Sequence, residues 1–385
     1  MTAIDLSQVA IDPALARLWA TLPEARLVGG VVRDLLVGAP IADIDLATPD
    51  RPDIVAHKLT AAGIKSVPTG LAHGTQTAVV MSRGFEVTSL RRDVATDGRH
   101  AVVAFTDDWR ADAARRDFTC NAMSVDRAGV LHDFFGGEAD LRAGRVRFVG
   151  DPAARLGEDY LRLLRYFRFQ ARFGLVPPDP ATRKALTEAV SGLARLSIER
   201  VWHELKRILA TQDPRAAVAL MAELGVLAAV VKEGVAPGRL AALITAAAPV
   251  DPILRLAALL DGDAAAFALR LRLSGIERDR LLALGGDVPE DDADDDTLRR
   301  ALADAPRAIL VDRAWLAGRS NRLHARLAAM PVPVFPLQGR DLAEAGMAPG
   351  PDIGRRLAEL RNWWCQGGCK AGRAACLAKH GCRAI

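Results

Sequence analysis

The chain has 385 residues, of which 50% are hydrophobic and 25% charged, and its formal net charge is +4. This composition is ordinary for a globular protein of two or three domains, and the small net charge excludes a histone-like basic binder. The longest apolar stretch, 216–231, is interrupted by Glu223 and Gly225, which argues against a membrane span. Because the first residues also lack a basic-then-apolar leader pattern, we expect a cytoplasmic protein.

A glycine pair follows the first predicted strand, Arg26–Val28, and precedes a short helix ending near Leu36. Gly29 and Gly30 allow a ligand to approach the backbone closely, and the helix start offers free N–H groups to a phosphate. Arg33, in the first turn, can reach the same anion. The pattern is neither a P-loop nor a Rossmann fingerprint. The alternative is a tight strand–helix turn without a ligand.

Two carboxylates share one face of the next predicted strand, 41–47. Asp43 and Asp45 are two residues apart, and side chains in a strand repeat every second residue. Close carboxylates repel unless a cation lies between them, and oxygen ligands suit a hard divalent cation. Glu86 is a candidate third acid. This layout fits metal-dependent phosphoryl or nucleotidyl transfer; the alternative is a strand end with solvated acids.

The following elements are predicted from their periodicity. They are a helix at 53–62, a hairpin of 77–81 with 85–90, a loop at 91–100 and a strand at 102–105. Beyond about residue 155 the strand signal fades and helices follow. The sequence therefore predicts a small α/β head and a long helical body.

A pair of arginines opens the segment 115–123, which continues with an Asp-x-x-x-Asn pattern. Arginine pairs clamp triphosphate oxygens, which makes Arg116 a candidate phosphate ligand. Asp117 and Asn121 are four residues apart, so on a helix they would face a ribose from one side. The alternative is a solvated helix start with a cap.

The segment 158–172 is predicted to be one helix with an apolar face and an adjacent arginine face. The arginine face consists of Arg162, Arg165, Arg168 and Arg172. Its only acids, Glu158 and Asp159, stand at the N-terminal end. This distribution is typical of a surface that binds nucleic acid or triphosphate.

Asp159 and Arg162 can together recognise the edge of a base. A carboxylate only accepts hydrogen bonds and a guanidinium only donates them. Cytosine and adenine offer a donor amine beside an acceptor nitrogen, whereas uracil and guanine offer the reverse. The pair would therefore accept C and A and reject U and G. The alternative is an ordinary surface ion pair between residues i and i+3.

Five cysteines are present, and four of them crowd the C-terminus: Cys365, Cys369, Cys376 and Cys382. Their spacing differs from the paired pattern of zinc ribbons, so the alternatives are an unusual zinc site and a reduced helical segment. The odd number of cysteines argues against a disulfide framework.

In their order along the chain, these motifs resemble the class II CCA-adding enzyme and bacterial poly(A) polymerase family. The resemblance rests on residues 29–34, 43–45, 115–122 and 158–169, and on the downstream stretches 197–202 and 339–354. It implies an α/β head with a DNA polymerase β-like nucleotidyltransferase fold, followed by an all-α neck, body and tail. We expect the catalytic head at 1–150, the nucleotide- and RNA-binding neck at 151–212, and the tRNA-binding body and tail at 213–385.

The resemblance also implies a reaction and its residues. The enzyme would add CCA to the tRNA 3′ end without a nucleic-acid template, using CTP and ATP and releasing pyrophosphate. Asp43 and Asp45 would hold Mg²⁺, in a two-metal mechanism. By this resemblance Asp159 and Arg162 would be the protein template, and the nucleotide would also contact Gly30, Arg33, Arg116, Arg165 and Arg168. Gly29, Asp117 and Asn121 are further candidate nucleotide-binding residues. The segment 91–100 would be the mobile loop of the family.

Several alternatives stay open at this point. The nearest is poly(A) polymerase, and others are an enzyme that adds only CC or only A and a non-catalytic RNA-binding relative. The missing third glycine disfavours a dinucleotide-dependent oxidoreductase. The sequence leaves open the oligomeric state, the identity of any general base and the role of the C-terminal cysteines.

Overall fold

The computed structural model describes residues 4–10, 12–41, 43–70, 74–96 and 101–381. The chain forms two compact units, Met1–Val230 and Val231–Ile385. The domain boundaries expected at residues 150 and 212 stay predictions. Cys382 lies outside the described residues.

A mixed seven-stranded sheet forms the core of the first unit. Its strands follow the order β3-β4-β5-β2-β1-β8-β9, while β6 and β7 form a separate two-stranded sheet. The strands are β1 (Arg26–Val28), β2 (Asp45–Thr48), β3 (Lys65–Gly70), β4 (Thr75–Val80), β5 (Arg83–Ser89), β6 (Arg91–Thr96), β7 (Ala101–Phe105), β8 (Met123–Val125) and β9 (Leu131–Asp133).

The register of the sheet brings distant residues together. β2 pairs in parallel with β5, so that Asp45 lies opposite Glu86, and it pairs antiparallel with β1. β4 and β5 form the predicted hairpin, which turns at Met81 and Ser82, both with positive φ. Positive φ at both central residues matches the twist of a tight hairpin.

Two sequence predictions about the head are wrong. The strand predicted over 41–47 begins only at Asp45, so Asp43 precedes it. Residues 91–96, predicted to be part of a loop, form β6, which pairs antiparallel with β7. A charged segment without an apolar run carries little strand signal of its own, and here the hydrogen bonds to β7 supply the stabilisation.

The first unit also contains twelve α-helices among its described residues. They are α1 (Ser7–Ala10), α2 (Pro13–Thr21), α3 (Gly30–Leu36), α4 (Pro52–Ala61), α5 (Trp109–Ala114), α6 (Gly137–Arg142), α7 (Pro152–Glu158), α8 (Leu161–Phe173), α9 (Pro180–Glu188), α10 (Ile198–Leu209), α11 (Arg215–Glu223) and α12 (Val226–Val230). Short 3-10 helices cover Thr119–Asn121 and Ala189–Arg195.

The described part of the second unit is helical. Its helices are α13 (Pro237–Thr245), α14 (Pro252–Leu259), α15 (Ala264–Arg270), α16 (Gly275–Leu284), α17 (Asp295–Asp304), α18 (Arg307–Leu316), α19 (Asn321–Ala329), α20 (Gly339–Glu344), α21 (Pro351–Gln366) and α22 (Arg373–His380). Within the described ranges, no helix is long and apolar enough to cross a membrane.

The C-terminal cysteines pack into an apolar core. Cys369 and Cys376 are buried in a cluster with Leu342, Leu360 and Trp364. Burial raises the pKa of the Cys369 thiol to about 11, so the sulfur stays protonated near neutral pH. This environment suits packing rather than thiolate chemistry.

Candidate nucleotide-binding site

A cavity of about 790 Å³ in the first unit is lined by residues of β1, β2, β5, α8 and α10. Arginines outnumber carboxylates in its lining by eight to four. The carboxylates are Asp45, Glu86, Asp117 and Asp159, and the arginines are Arg33, Arg91, Arg115, Arg116, Arg162, Arg165, Arg168 and Arg207. Both the volume and the positive excess suit a nucleotide with a polyanionic tail.

Two guanidinium groups lie close to the glycine turn between β1 and α3. Gly29 has φ +72°, a backbone conformation that residues with a Cβ rarely adopt. A Cβ on Gly29 would lie 3.6 Å from Nη1 of Arg116, and one on Gly30 would lie 3.6 Å from Nη2 of Arg33. The structure thus brings both predicted phosphate ligands to the turn.

A chain of hydrogen bonds along the wall of the cavity joins α3 to α8. Nη1 of Arg33 donates to Oδ1 of Asn121 at 2.6 Å, and Nδ2 of Asn121 donates to Oδ1 of Asp117 at 2.9 Å. Nε of Arg165 donates to Oδ2 of Asp117 at 2.7 Å. Burial would raise the pKa of Asp117, but Arg165 and the hydrogen bonds hold that pKa below its ordinary value. Asp117 therefore stays ionised and fixes both neighbours.

The helix predicted to carry Asp117 and Asn121 on one side is absent. α5 ends at Ala114, and Asn121 ends a 3-10 helix. The two side chains hydrogen-bond to each other and both line the cavity, so their contact with a nucleotide stays a prediction. Local side-chain hydrogen bonds of this kind stabilise a turn in place of the α-helix that the four-residue spacing predicted.

Aromatic packing fixes this segment against α8. The ring of Phe118 lies 4.9 Å from that of Phe148 and 5.0 Å from that of Phe169, measured between centroids. Both Phe118 and Phe148 are fully buried. Because Phe118 follows Asp117 directly, its burial places the carboxylate opposite Arg165.

Three carboxylates gather where β2 meets β5. Asp45 is half-buried and lies beside Glu86 in register, while Asp43 is exposed and precedes the strand. Burial, and then the charges of Glu86 and Asp43, raise the pKa of Asp45, which Arg116 opposes. This mutual repulsion disfavours three ionised groups unless positive charge joins them.

The donor set fits a hard divalent cation bound partly by the protein. Within the described residues, no three His, Cys, Asp or Glu side chains are arranged as a ready-made metal site. A cation such as Mg²⁺ commonly takes only one or two carboxylates and completes its shell with water and substrate phosphates. Asp43 and Asp45 are the two carboxylates predicted for this role, and that assignment stays a prediction.

The predicted base-reading pair lies at a break between two helices. α7 ends at Glu158, Asp159 is extended with φ −151° and ψ 108°, and α8 begins at Leu161. The prediction of one continuous helix over 158–172 is therefore wrong. The break turns the Asp159 carboxylate back to accept from the backbone N–H of Leu161 at 3.0 Å, which satisfies one of the free donors at the start of α8.

Asp159 and Arg162 are each held by other groups and do not form the alternative surface ion pair. Nη2 of Arg200 donates to Oδ2 of Asp159 at 3.0 Å. Arg162 pairs with Glu158 and donates to the backbone oxygens of Arg155 at 3.0 Å and Arg115 at 3.2 Å. Both side chains line the cavity.

The arginine face of α8 carries more acid than its own sequence shows. Arg165 pairs with Asp117, Arg168 pairs with Glu204 at 3.1 Å, and Arg172 pairs with Asp34 at 3.0 Å. Burial lowers the pKa of Arg168 to about 10, although Glu204 opposes the shift. The sequence predicted an arginine face whose only acids stand at its N-terminal end, and this is wrong for the folded protein. The other acids come from elements that are distant in sequence.

Sequence reasoning missed the residues that position the site. Asp112, only 3% exposed, accepts from Nε of Arg115 at 2.8 Å and from Nη2 of Arg116 at 3.2 Å. Asp112 stands three residues before Arg115 and four before Arg116, which is the spacing of neighbours on a helix, so the sequence could have indicated these contacts. Arg200 and Glu204, spaced by one helical turn on α10, carried no such signal.

Comparison with known proteins shows which families and relatives this chain is similar to. Residues 25–147 match the family model described as Poly A polymerase head domain, and residues 177–236 match the model described as Probable RNA and SrmB- binding site of polymerase A. The mitochondrial CCA tRNA nucleotidyltransferase 1 of Mus musculus is 37% identical over 365 residues, which are 90% of this chain and 83% of that protein. The Homo sapiens protein of the same name is 36% identical over 364 residues, with the same coverage of 90% and 83%.

A solved structure extends the likeness to the fold. The Bacillus stearothermophilus CCA-adding enzyme in complex with CTP superposes with a TM-score of 0.72 at 26% identity, covering 93% of this chain and 94% of that one. This match confirms the predicted fold class of an α/β head followed by helices. Since the two mammalian relatives align with 90% of the chain, the resemblance seen in the motifs is confirmed, and the chain belongs to the CCA tRNA nucleotidyltransferase family.

Proposed function

We propose that this chain adds C, C and A to the 3′ end of tRNA, taking the nucleotides from CTP and ATP and releasing pyrophosphate. The observation that carries the proposal is the cavity in which Asp45 and Glu86 share one edge and eight arginines form much of the lining. The carboxylates suit a metal-assisted transfer, and the arginines suit the triphosphate. The family to which the chain belongs supplies the acceptor, tRNA.

Asp43 and Asp45 are the proposed ligands of Mg²⁺, with Glu86 as the third catalytic carboxylate. Bound there, Mg²⁺ would supply Lewis-acid stabilisation of the attacking and leaving oxygens, as expected of a two-metal mechanism. The 3′-hydroxyl oxygen of the tRNA attacks the α-phosphorus, and the bond between that phosphorus and the β-bridging oxygen breaks. Arg33 and Arg116, close to the glycine turn, neutralise the triphosphate.

Asp159 and Arg162 are the proposed protein template. The carboxylate accepts from the exocyclic amine of cytosine or adenine, and the guanidinium donates to the neighbouring ring nitrogen. Uracil and guanine would leave these groups unpaired, at a cost of about 1–3 kcal/mol for each group. Arg165 and Arg168 complete the nucleotide contacts, while Asp117 and Asn121 hold the arginines in place.

The division of labour along the chain is also part of the proposal. The head at 1–150 carries the chemistry, the neck at 151–212 reads the nucleotide and contacts RNA, and the body and tail at 213–385 bind tRNA. A match to an RNA-binding family model at 177–236 supports an RNA contact in this region. A cytoplasmic location stays a prediction, since the mammalian relatives are named as mitochondrial.

Nucleotide incorporation into a tRNA transcript that ends at the discriminator base tests the function. With Mg²⁺, CTP alone should add two residues, and CTP with ATP should add three. Asp43→Ala should add none. Long A-tails on unrelated RNA with ATP alone would identify a poly(A) polymerase instead. A stop after two residues with both nucleotides would identify a CC-adding enzyme, and addition only to a transcript already ending in CC would identify an A-adding enzyme. No addition by the unmodified chain would favour a non-catalytic RNA-binding relative.

A further inference from the structure

A second cavity of about 640 Å³ lies beside the nucleotide cavity within the first unit, and we call it the side cavity. Its lining includes Arg33, Arg168, Arg172 and Arg207, and no carboxylate is among the described residues that line it. Arg33, Arg168 and Arg207 also line the nucleotide cavity, as does Phe169. The two cavities therefore share one wall of arginine and phenylalanine side chains.

The charge around the side cavity is only partly balanced. Asp34 pairs with Arg172 and Glu204 pairs with Arg168, which leaves two positive charges in excess among the four arginines. Arg207 is exposed and makes no hydrogen bond or ion pair with the described residues. Nε of Arg33 is buried without a hydrogen-bond partner, 3.5 Å from the Asp34 carboxylate. Guanidinium groups with donors to spare favour a phosphate ligand.

The direction of α8 relates the side cavity to the reaction. Arg162, in the base-reading pair, and Arg172 are ten residues apart, which is about 15 Å along a helix. The guanidinium groups of Arg33 and Arg168 both lie over the ring of Phe169, 5.2 and 5.0 Å from its centroid. A triphosphate that reaches the glycine turn by Arg33 therefore has Arg168 close to its last phosphates. The side cavity shares Arg33, Arg168 and Phe169 with the nucleotide cavity, so it adjoins the place where those phosphates lie.

The phosphates that reach this point belong to the leaving group rather than to the RNA. In nucleotidyl transfer the attacking and leaving oxygens lie roughly in line on opposite sides of the α-phosphorus. The RNA 3′ end therefore approaches from the side away from the β- and γ-phosphates. An anion site beyond the γ-phosphate position suits a small polyanion, and about 640 Å³ accommodates one readily.

We propose that the side cavity receives the pyrophosphate released by the transfer, with Arg172 and Arg207 as its binding residues. The inference rests on the proposed function. In this arrangement Arg33 and Arg168 contact the phosphates before the transfer and afterwards pass them to Arg172 and Arg207. The next nucleotide can then enter the vacated part of the main cavity, which a successive addition of three nucleotides requires.

The test measures binding of inorganic pyrophosphate with Mg²⁺ to the full chain by calorimetry, and inhibition of CTP incorporation by pyrophosphate. Arg172→Gln should weaken both by about tenfold, the effect expected from losing one charge-assisted hydrogen bond. The KM for CTP should rise by a smaller factor, because Arg172 does not line the nucleotide cavity. Arg142→Gln is the matched control, since Arg142 is an exposed arginine in an ion pair with Glu138, outside both cavities.

Arg207→Gln provides a second variant whose folding is not in question, because the side chain is exposed. It should weaken pyrophosphate binding by a similar factor. Unchanged pyrophosphate binding in both variants would overturn the inference, and so would a higher KM for tRNA with pyrophosphate inhibition unchanged. Failure of the proposed function appears separately, as absent incorporation by the unmodified chain whatever the calorimetry gives.

Discussion

Replacing Asp159 by alanine tests the protein template most directly. The carboxylate makes two contacts in the structure, accepting from the backbone N–H of Leu161 and from Arg200. Asp159→Ala removes the acceptor proposed to recognise the exocyclic amine of C and A. It also removes the negative charge that repels the corresponding carbonyl of U and G. Efficiency with CTP should therefore fall while efficiency with UTP does not.

The magnitude follows from the exposure of the group. A hydrogen bond to a charged partner contributes about 1.5–3 kcal/mol, and water weakens it at the surface. The Asp159 side chain is 28% exposed, so we take about 2 kcal/mol, which corresponds to about 30-fold in the CTP/UTP ratio of kcat/KM. Loss of the contact to Leu161, at the start of α8, should cost about 1 kcal/mol of stability.

Single-nucleotide incorporation into a tRNA transcript, measured separately with CTP and with UTP, gives this ratio. Asp151→Ala is the matched control, because Asp151 caps α7 by accepting from the N–H of Ala154 at 2.8 Å and does not line the cavity. The control should lose comparable stability and keep its nucleotide preference. A CTP/UTP ratio in Asp159→Ala within about threefold of the unmodified chain would refute the template assignment.

Three further predictions address the carboxylates and a half-buried histidine. Asp45→Asn should slow single-turnover incorporation by about 1000-fold, because a neutral amide binds a divalent cation weakly; a loss below tenfold would contradict its role as a ligand. Glu204→Ala leaves the Arg168 charge without its partner; the Glu204 side chain is 5% exposed and that of Arg168 is 15% exposed. We expect the free energy of unfolding, measured in urea, to fall by about 3 kcal/mol. An unchanged urea midpoint would show that the ion pair is unimportant for stability. Burial lowers the pKa of His324 below its ordinary 6.5, so its contribution to stability is complete above pH 6.5 and decreases as the pH falls below that value. His324→Gln should remove this part of the acid sensitivity, and an identical pH profile for both proteins would argue against it.

The local features of the head could be predicted from the sequence. The strand, the glycine turn and the helix ending at Leu36 lie where their patterns placed them, as does the hairpin that contains Glu86. Each depends on neighbours within a few residues, such as a glycine that adopts positive φ or an alternation of apolar side chains. The order of these motifs was also sufficient to indicate the family.

Other features depend on residues far apart in the chain. Asp45 lies beside Glu86 because β2 and β5 pair in parallel, and a periodic pattern does not specify which strands become neighbours. β6 is stabilised by hydrogen bonds to β7, although its own residues carry little strand signal. The break at Asp159 likewise opposes the helical periodicity on both sides of it.

The order of amino acids specifies which residues carry charge and donor groups, and which of them share an element. The pairing of those charges depends on the packing of distant elements, since Arg165 meets Asp117 across 48 positions and Arg168 meets Glu204 across 36. The periodicity of a helix reports the face on which a side chain lies but not the element packed against that face. An ion pair between two elements forms only when the cores of both are buried together, and here the aromatic packing of Phe118 against α8 brings the site together.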